Sequence, residues 1–271
     1  MIAANHGIFA SSTLHPDVAI YAAAITTNGG SIISSDLNAL NAWVWRGVAS
    51  GWYSKLVEIW PMMGNQLAAA KTKLKWGAGA TTNLDTSRLA GSDYSRAYGL
   101  GPTTYDANKY VLTGFTPSAD GLSLSNLSAV ISRLDATRVA QALSVWCGDT
   151  PASGDNNIVI GSANNNNSSS PRSDLGTQGY SYYMGAAWPR ADVMNWGASK
   201  QDVWNNSSQG YYASTALSGS ISTEVNIGRH RRTGVYRVEP FKTGLMAFGS
   251  TLTDAEAQDL GIATYNVEVA C

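Results

Sequence analysis

Ala129-Val130-Ile131-Ser132-Arg133-Leu134 is the stretch that best indicates the fold, because β-branched and apolar residues follow one another between turn-forming residues. The same pattern recurs from about residue 65 onward, where short apolar runs alternate with Gly, Asn, Ser and Pro. The other runs of this kind are 110–115, 142–146, 158–160, 235–238 and 245–249. Many short strands with frequent turn signals predict an all-β fold, an antiparallel jelly-roll sandwich.

Two helices are predicted near the N-terminus. Pro16 and Asp17 open a short one, because Pro is favoured in a first turn and Asp suits the positive end of the helix dipole. A longer helix follows, capped by Ser34-Ser35-Asp36 and ended by Gly51. Apolar residues at helical spacing should dock it on the sandwich. They are Leu37, Leu40, Trp43 and Val44.

The C-terminus and the middle of the chain carry weaker signals. Thr253 and Glu256 form a capping box, which predicts a short C-terminal helix from about residue 254. Polar repeats at Asn164–Asn167 and Ser168–Ser170 indicate a loop. We therefore expect residues 1–64 to form an arm and helices packed on the sandwich. Residues 65–271 form the sandwich itself, within a single domain.

The composition suits a binding or assembly surface better than a reaction centre. The chain has 271 residues with 9 Trp and 13 Tyr but only 3 His and 2 Cys, so few groups are available for tuned chemistry. Its net charge of −1 gives no electrostatic case for nucleic acid. The sequence has no signal peptide, no apolar run that spans a membrane and no cofactor motif. We expect a soluble protein made in a cytoplasm, with Cys147 and Cys271 as free thiols.

Three blocks of sequence follow one another in a recognisable order. The first lies within Ile20–Gly64 and includes Gly51-Trp52, Lys55-Leu56 and Ile59-Trp60-Pro61-Met62-Met63-Gly64. The second lies within Thr104–Arg133 and includes Tyr105-Asp106-Ala107-Asn108-Lys109-Tyr110 and Thr113-Gly114-Phe115-Thr116-Pro117-Ser118. The third runs from Phe248-Gly249 to Ala257. Together they resemble the concanavalin A-like (laminin-G-like) jelly-roll modules of bacteriophage virion proteins of the tail or fibre type.

The resemblance covers residues 17–265 loosely and implies a structural or adhesive protein without a defined catalytic motif. It implies a virion component (tail fibre, tail or head decoration) that is exposed on the particle and oligomeric. Its partners would be other virion proteins, and its lectin-like face would bind host surface glycans. Residues 150–230 match poorly, and a specific surface is expected there. The alternatives are a free carbohydrate-binding module and a polysaccharide-degrading enzyme.

A segment rich in aromatic residues, Tyr180–Tyr212, is the first candidate surface. Exposed Trp and Tyr rings stack on sugars or anchor protein interfaces. The alternative is that these rings fill the core and rim of the sandwich, because large aromatic side chains are mostly buried. The candidates are Tyr182, Trp188, Trp196, Trp204 and Tyr211.

The run Arg229-His230-Arg231-Arg232 is the second candidate surface. On a strand, Arg229 and Arg231 share one face while His230 and Arg232 share the other. Arg229 and Arg231 are candidates to bind acidic sugars or a neighbouring subunit. The alternative is a solvated strand or hairpin that discourages edge pairing.

Metal and catalytic sites are not predicted. Oxygen donors occur at Asp149 and at 155–157, but their spacing matches no calcium loop. The three His are too dispersed for a zinc site. Jelly-roll glycosidases place paired carboxylates on alternate residues of one strand, whereas Glu224 and Glu239 each stand alone. We therefore expect no enzyme activity and no catalytic residue.

Overall fold

The computed structural model describes residues 13–97, 99–101, 108–133, 145–148, 156–162, 169–175, 180–181, 190–213, 219–222, 224–232, 235–238 and 243–271. Within these ranges the helices are α1 (Pro16–Thr27), α2 (Ser34–Ser50), α3 (Leu67–Ala70) and α4 (Asp254–Ala270). Short 3₁₀ turns occupy Trp52–Lys55, Gly91–Asp93 and Pro117–Asp120. None of the helices in the described part is long and apolar enough to cross a membrane.

Two six-stranded antiparallel sheets form the sandwich. The first sheet has the order β1-β16-β5-β10-β11-β12 and the second has the order β4-β13-β6-β7-β8-β9. Two further pairs, β14 with β15 and β2 with β3, lie outside them. The strands are β1 (Leu56–Trp60), β2 (Tyr94–Ser95), β3 (Gly99–Leu100), β4 (Val111–Leu112), β5 (Leu127–Arg133), β6 (Val145–Gly148), β7 (Asn156–Ser162), β8 (Ser169–Leu175), β9 (Tyr180–Ser181), β10 (Arg190–Trp196), β11 (Gln201–Asn205), β12 (Ser208–Ala213), β13 (Asn226–Ile227), β14 (Arg229–Arg232), β15 (Val235–Val238) and β16 (Met246–Gly249). The predicted all-β jelly-roll sandwich is confirmed.

The three blocks of the sequence resemblance meet in the first sheet. Block one supplies β1, block two supplies β5, and block three supplies the end of β16 and the start of α4. β16 pairs with β1 on one side and with β5 on the other. Segments nearly 200 residues apart in sequence (β1 at Leu56–Trp60, β16 at Met246–Gly249) are therefore neighbours in one sheet.

Both faces of the first sheet are covered. Alternate residues of its strands enter two separate hydrophobic clusters, as the two-residue period of a strand requires. One cluster fills the space between the sheets, where the Trp60 and Phe115 rings lie 5.2 Å and 5.6 Å from the Phe248 ring. The other cluster lies between the opposite face of this sheet and helices α1, α2 and α4.

Helix α2 docks largely as predicted. Leu40, Trp43 and Val44 are buried, and each such side chain contributes about 1.5–3 kcal/mol of transfer free energy. Leu37 is half-buried against the same cluster. The Trp43 Nε1 donates to Thr264 Oγ1 on α4 at 3.1 Å, so that the two long helices are joined by a hydrogen bond as well as by packing.

The start of α2 differs from the prediction. Its N-cap is Ile33, which makes no side-chain cap hydrogen bond, and the helix begins at Ser34. Asp36 is buried and binds the guanidinium of Arg96 through two hydrogen bonds of 2.6 and 2.8 Å. The carboxylate therefore holds a distant segment instead of capping its own helix. Gly51 ends the helix with φ 88°, as expected from a C-terminal glycine.

Helix α4 begins where the capping box predicted but is longer than the short helix expected. It runs for 17 residues to Ala270, the same length as α2. Its buried stripe contains small residues, including Gly261, where an added Cβ would clash with the carbonyl oxygen of Asn206. Such a stripe gives little hydrophobic periodicity in the sequence, because close approach to the sheet selects small side chains.

Two other predictions concern the polar loop at residues 164–170 and the boundary at residue 64. Ser169 and Ser170, placed in a polar loop by the sequence, begin β8; Asn164–Asn167 lie outside the described residues. The boundary at residue 64 stays a prediction, although β1 precedes it and is a strand of the first sheet.

A buried ion pair lies at the β1 edge of the interior. Lys73 Nζ lies 2.5 Å from Glu58 Oε1, and both side chains are 0% exposed. Trp60 Nε1 and the Gly77 amide donate to the same carboxylate at 2.7 and 2.6 Å. Lys73 also donates to the carbonyl of Thr113. Burial raises the pKa of Glu58 and lowers the pKa of Lys73, while each partner opposes the shift of the other.

Candidate functional site: the outer face of the second sheet

Two of the predicted surface residues lie inside the protein. Trp196 is 5% exposed in the cluster between the sheets, and Trp204 is 9% exposed in the cluster under the helices. They occupy opposite faces of the first sheet, so they form no common surface. The Trp204 Nε1 donates to the buried Asp202 carboxylate at 2.8 Å. Both rings therefore follow the alternative interpretation, in which aromatic residues of this segment fill the core.

The remaining aromatic candidates have different positions. Tyr211 pairs with Val203 across β12 and β11, so its position is on the face of the first sheet that adjoins the interior. Tyr182 and Trp188 lie outside the described residues. The aromatic segment thus does not assemble into one surface within the part of the chain that is described.

The basic run forms a hairpin strand. Arg229 pairs with Val238, and Arg231 pairs with Tyr236. On the other face His230 pairs with Arg237. The predicted division of this run between two faces of a strand is confirmed by the register of β14 and β15.

One face of the second sheet lies against the interior, and the opposite face is called the outer face. Val225 and Ile227 are fully buried in the cluster between the sheets. Asn226 lies between them in sequence and thus on the opposite face of β13. Because cross-strand partners share a face, the register of the sheet extends this outer face from Asn226 strand by strand.

One row of partners crosses the sheet. Leu112 and Trp146 both pair with Asn226, Trp146 pairs with Val159, Val159 with Arg172, and Arg172 with Ser181. From Asn226 to Ser181 this row crosses five strands, about 19 Å at the usual strand spacing. A second row on the same face contains Gly148, Asn157 and Asp174.

The two faces of the second sheet differ in composition. Positions on the interior face include the apolar Val145, Cys147, Ile158, Ile160, Pro171 and Leu175 and the polar Asn156, Ser162, Ser169 and Ser173. Positions on the outer face combine one Trp, Leu112 and Val159 with amide, guanidinium and carboxylate residues. A Trp ring stacks on the apolar face of a sugar, and the polar groups hydrogen-bond hydroxyls.

Asn226 has an unused acceptor on this face. Its Nδ2 donates to the carbonyl of Glu224 at 2.9 Å. Its Oδ1 is buried and accepts no hydrogen bond from any residue in the described ranges. A buried acceptor without a donor costs about 1–3 kcal/mol. A hydroxyl or water that reached it would recover part of that cost.

The glutamates within the described ranges serve structural contacts. Glu58 binds Lys73, and Glu256 binds Lys55 at 2.6 Å. Glu268 lies on the buried side of α4 and accepts hydrogen bonds from Ser132 Oγ and from the Leu245 amide. Burial raises the pKa of Glu268.

Glu224 accepts from the Gly114 amide at 2.7 Å. Glu239, the other carboxylate that stood alone in the sequence, lies outside the described residues, as do Asp149 and Asp155. A search of the described residues finds no group of three His, Cys, Asp or Glu side chains that could hold a metal ion.

Sequence reasoning missed the outer face because its residues are scattered over five strands. Trp146 ends the predicted strand 142–146 and is the second residue of β6, where it alternates with Val145 and Cys147. That alternation was a usable signal for a Trp position on the face opposite these two residues. Arg172 and Asn226 carry no such signal in the sequence, since only the strand register brings their positions into one row with Trp146.

Comparison with known proteins gives matches in structure alone. No family model matches the chain, and no curated protein matches it. A mutant of Trypanosoma rangeli sialidase displaying trans-sialidase activity is similar over 92% of this chain and 38% of its own, at 11% identity and a TM-score of 0.50. The chain therefore spans little more than a third of that enzyme.

Two smaller structures are also similar. Domain 4 of AbnA, an extracellular arabinanase from Geobacillus stearothermophilus solved with arabinotriose, matches over 76% of this chain and 98% of its own, at 12% identity and a TM-score of 0.42. The CBM40 domain of Ruminococcus gnavus IT-sialidase, bound to α2,3-sialyllactose, matches over 50% and 82%, at 15% identity and a TM-score of 0.40.

Proposed function

We propose that this chain is a lectin-like protein that binds a glycan on the outer face of its second sheet. The observation that supports the proposal is the row of Asn226, Trp146 and Arg172 across that face. The first sheet offers no equivalent surface, since helices α2 and α4 pack on its outer side. A single Trp with neighbouring polar groups suits a shallow site, which binds one or two sugar rings weakly and gains strength from repetition.

We also propose that the protein is a structural component of a bacteriophage virion, exposed on the particle as a tail, fibre or head-decoration subunit. It would be made in the host cytoplasm and assemble as an oligomer with other virion proteins. The support is the sequence resemblance, whose three blocks occupy neighbouring strands of one sheet. Oligomerisation would multiply weak glycan contacts, which is how shallow sites reach useful avidity.

A glycan array tests the binding proposal. Wild-type protein should bind a defined set of oligosaccharides, and Trp146→Ala should reduce that binding by at least tenfold. Trp76→Ala is the matched control, because Trp76 is 43% exposed on a loop far in sequence from the second sheet. Equal loss in both variants, or binding unaffected by Trp146→Ala, would remove the outer face from the proposal.

Cryo-electron microscopy of the native particle tests the virion proposal. We expect the outer face of the second sheet to point away from the particle and subunit contacts to lie elsewhere. A neighbouring subunit seated on that face would favour a purely structural role. Absence of the chain from any particle would favour a free carbohydrate-binding module.

We propose further that the protein is not an enzyme. In support, Glu58, Glu256 and Glu268 are engaged in structural contacts, and Glu224 binds a backbone amide. Incubation with any glycan that binds should release no shorter product. Cleavage abolished by Glu224→Gln or Glu239→Gln would contradict this and favour the polysaccharide-degrading alternative.

The sequence candidates Tyr182, Trp188, Arg229 and Arg231 remain part of the proposed surface. Tyr182 directly follows β9, the last strand of the outer row. Ala substitutions at Tyr182 and Trp188 on the same array would show whether either contributes to sugar binding.

A further inference from the structure

The ion pair of Glu58 and Lys73 is shielded from solvent. Both side chains are 0% exposed, and Lys73 Nζ lies 2.5 Å from Glu58 Oε1. In the pair of Lys55 with Glu256 the two charged atoms are 2.6 Å apart, but the side chains are 32% and 14% exposed. Water therefore competes for the Lys55 pair and is excluded from the Glu58 pair.

The backbone holds the two buried side chains beside each other. Ile59 donates to the Lys75 carbonyl at 3.0 Å and accepts from the Leu74 amide at 2.9 Å, so the segments that carry Glu58 and Lys73 run side by side. Reacting atoms fixed about 3–3.5 Å apart gain much of the rate that free reactants lack. An Nζ atom 2.5 Å from a carboxylate oxygen is close to that separation from the carboxylate carbon.

Burial favours the uncharged forms of both groups. It raises the pKa of Glu58 and lowers the pKa of Lys73, although each charge opposes the shift of the other. Transfer of one proton from the ammonium to the carboxylate gives an amine and a carboxylic acid, which are the forms that condense to an amide. The exclusion of water also favours a reaction that releases water.

The groups around the pair match the hydrogen-bonding needs of an amide. Trp60 Nε1 donates to Glu58 Oε1 at 2.7 Å, and the Gly77 amide donates to Oε2 at 2.6 Å. Whichever oxygen remains in an amide keeps one of these donors, which also stabilises negative charge on it during the reaction. The Thr113 carbonyl accepts from Lys73 Nζ and can accept the single N–H of the product. The buried amide would therefore have partners for both of its polar atoms.

We propose that Glu58 and Lys73 condense after folding into an intramolecular amide cross-link. Lys73 Nζ attacks Glu58 Cδ, one C–O bond of the carboxyl group breaks, and that oxygen leaves as water with the carboxyl proton and one amine proton. The reaction consumes no oxidant and no second reactant. The freshly folded chain holds the ion pair, and the cross-link accumulates afterwards because only the fold brings the two groups together.

The cross-link would close a covalent loop at β1, the first strand in the order of the first sheet. Residues between 58 and 73 would stay in this loop even when the rest of the protein is unfolded. A closed loop restricts the unfolded chain and so favours the folded state, as a disulfide does. The proposed role is thus to strengthen the sheet that carries the helices.

Peptide mapping of the wild-type chain by mass spectrometry tests the proposal. Fresh protein and protein incubated in the folded state are unfolded and digested with trypsin, which cleaves after Lys55, Lys71 and Lys75 but not at a linked Lys73. We expect peptides 56–71 and 72–75 to be joined, one water lighter than their sum, in at least half of the incubated chains. Fresh protein should contain less of this species, and protein incubated in urea should contain none.

Two controls assign the cross-link to this buried pair. Lys73→Arg keeps a cation, but its guanidinium does not condense with a carboxyl group, so the linked peptide should be absent. Within the wild-type chain the solvated pair of Lys55 and Glu256 should stay unlinked. A link between Lys55 and Glu256 in equal yield would overturn the argument from burial.

The linked peptide, and not the mass alone, decides the outcome. Asp120 precedes Gly121, and such a sequence also loses water when it closes a succinimide ring. A chain that keeps its full mass after prolonged incubation, or that loses water only outside residues 56–75, overturns the proposal. Either result leaves the glycan proposal intact, because that proposal concerns the second sheet and is tested on the array.

Discussion

The two sheets of this sandwich both have six antiparallel strands, but other elements of the chain cover their faces differently. The first sheet is covered on both sides, by the interior on one and by helices α1, α2 and α4 on the other. The second sheet contributes Val111 and Ile227 to the interior, while its other face has Trp146 and polar positions in register. The first sheet is therefore buried on two faces, and the proposed glycan surface lies on the second sheet.

The covered first sheet explains why its aromatic residues form no surface. Trp196 and Trp204 stand on opposite faces of this sheet and are both buried. Aromatic density in the segment therefore did not identify a surface.

The largest expected effect comes from breaking the buried ion pair. Lys73→Met leaves the Glu58 carboxylate in the interior with two donors but no cation. Removing one partner of a buried pair costs about 3–5 kcal/mol. Urea unfolding should show this loss. In the double variant Glu58→Gln/Lys73→Met much of it should be recovered, and a double variant as unstable as the single one would contradict the explanation.

Trp204→Phe tests whether that ring belongs to the scaffold. The substitution keeps most of the apolar volume but removes the donor to the buried Asp202 carboxylate. Leaving a buried group without its partner costs about 1–3 kcal/mol. We expect lower stability in urea and unchanged glycan binding. A change in binding at unchanged stability would return Trp204 to the recognition surface.

Glu268, which lies on the helix-covered side of the first sheet, makes the stability of the folded protein depend on pH. Because burial raises its pKa in the folded state, protonated Glu268 contributes stability below the unfolded value of about 4.3. That contribution is lost as pH rises through the raised folded value. Every tenfold difference in proton affinity between the folded and unfolded states is worth about 1.4 kcal/mol. Glu268→Gln should therefore gain stability relative to wild type as pH rises from 4 to 8, and a constant difference across this range would contradict the assignment.

The smallest stability effect is expected on the second sheet. Asn226→Ser removes the Oδ1 that lacks a donor, together with the Nδ2 bond to the Glu224 carbonyl. The two changes oppose each other, so we expect a shift within about 1 kcal/mol. Thermal melts measure it beside glycan affinity, which should fall. A large loss of stability would show that this face is packed as tightly as the first sheet.

Sequence reasoning predicted the long helices and some of the strands of each sheet. Strong local signals are responsible: helical spacing in α2, the capping box of Thr253 and Glu256, and the β-branched run that became β5. The length of α4 was missed because Gly261 and Ala263 give its stripe little contrast. These signals are local, so they are readable without knowing which strands pair.

Strand β8 of the second sheet could not be predicted from the sequence, for a physical reason. β8 has the sequence Ser-Ser-Pro-Arg-Ser-Asp-Leu, with almost no apolar alternation, and became a strand through pairing with β7. Its partners β7 and β9 flank it in sequence, whereas β13, which carries Asn226, is distant. The candidate row of Trp146, Arg172 and Asn226 therefore exists only in the register, and the sequence pointed to the denser aromatic segment instead.

The central claim is that a glycan binds the second sheet and leaves the helix-covered first sheet untouched. Its most direct test is amide hydrogen exchange with and without the glycan that binds best on the array. We predict that ligand slows exchange in β6–β9 and in the span of β13–β15, and leaves α2, β1, β16 and α4 unchanged. Slowed exchange confined to α2 and α4 would contradict the account, because it would place the ligand on the side of the molecule assigned to stability.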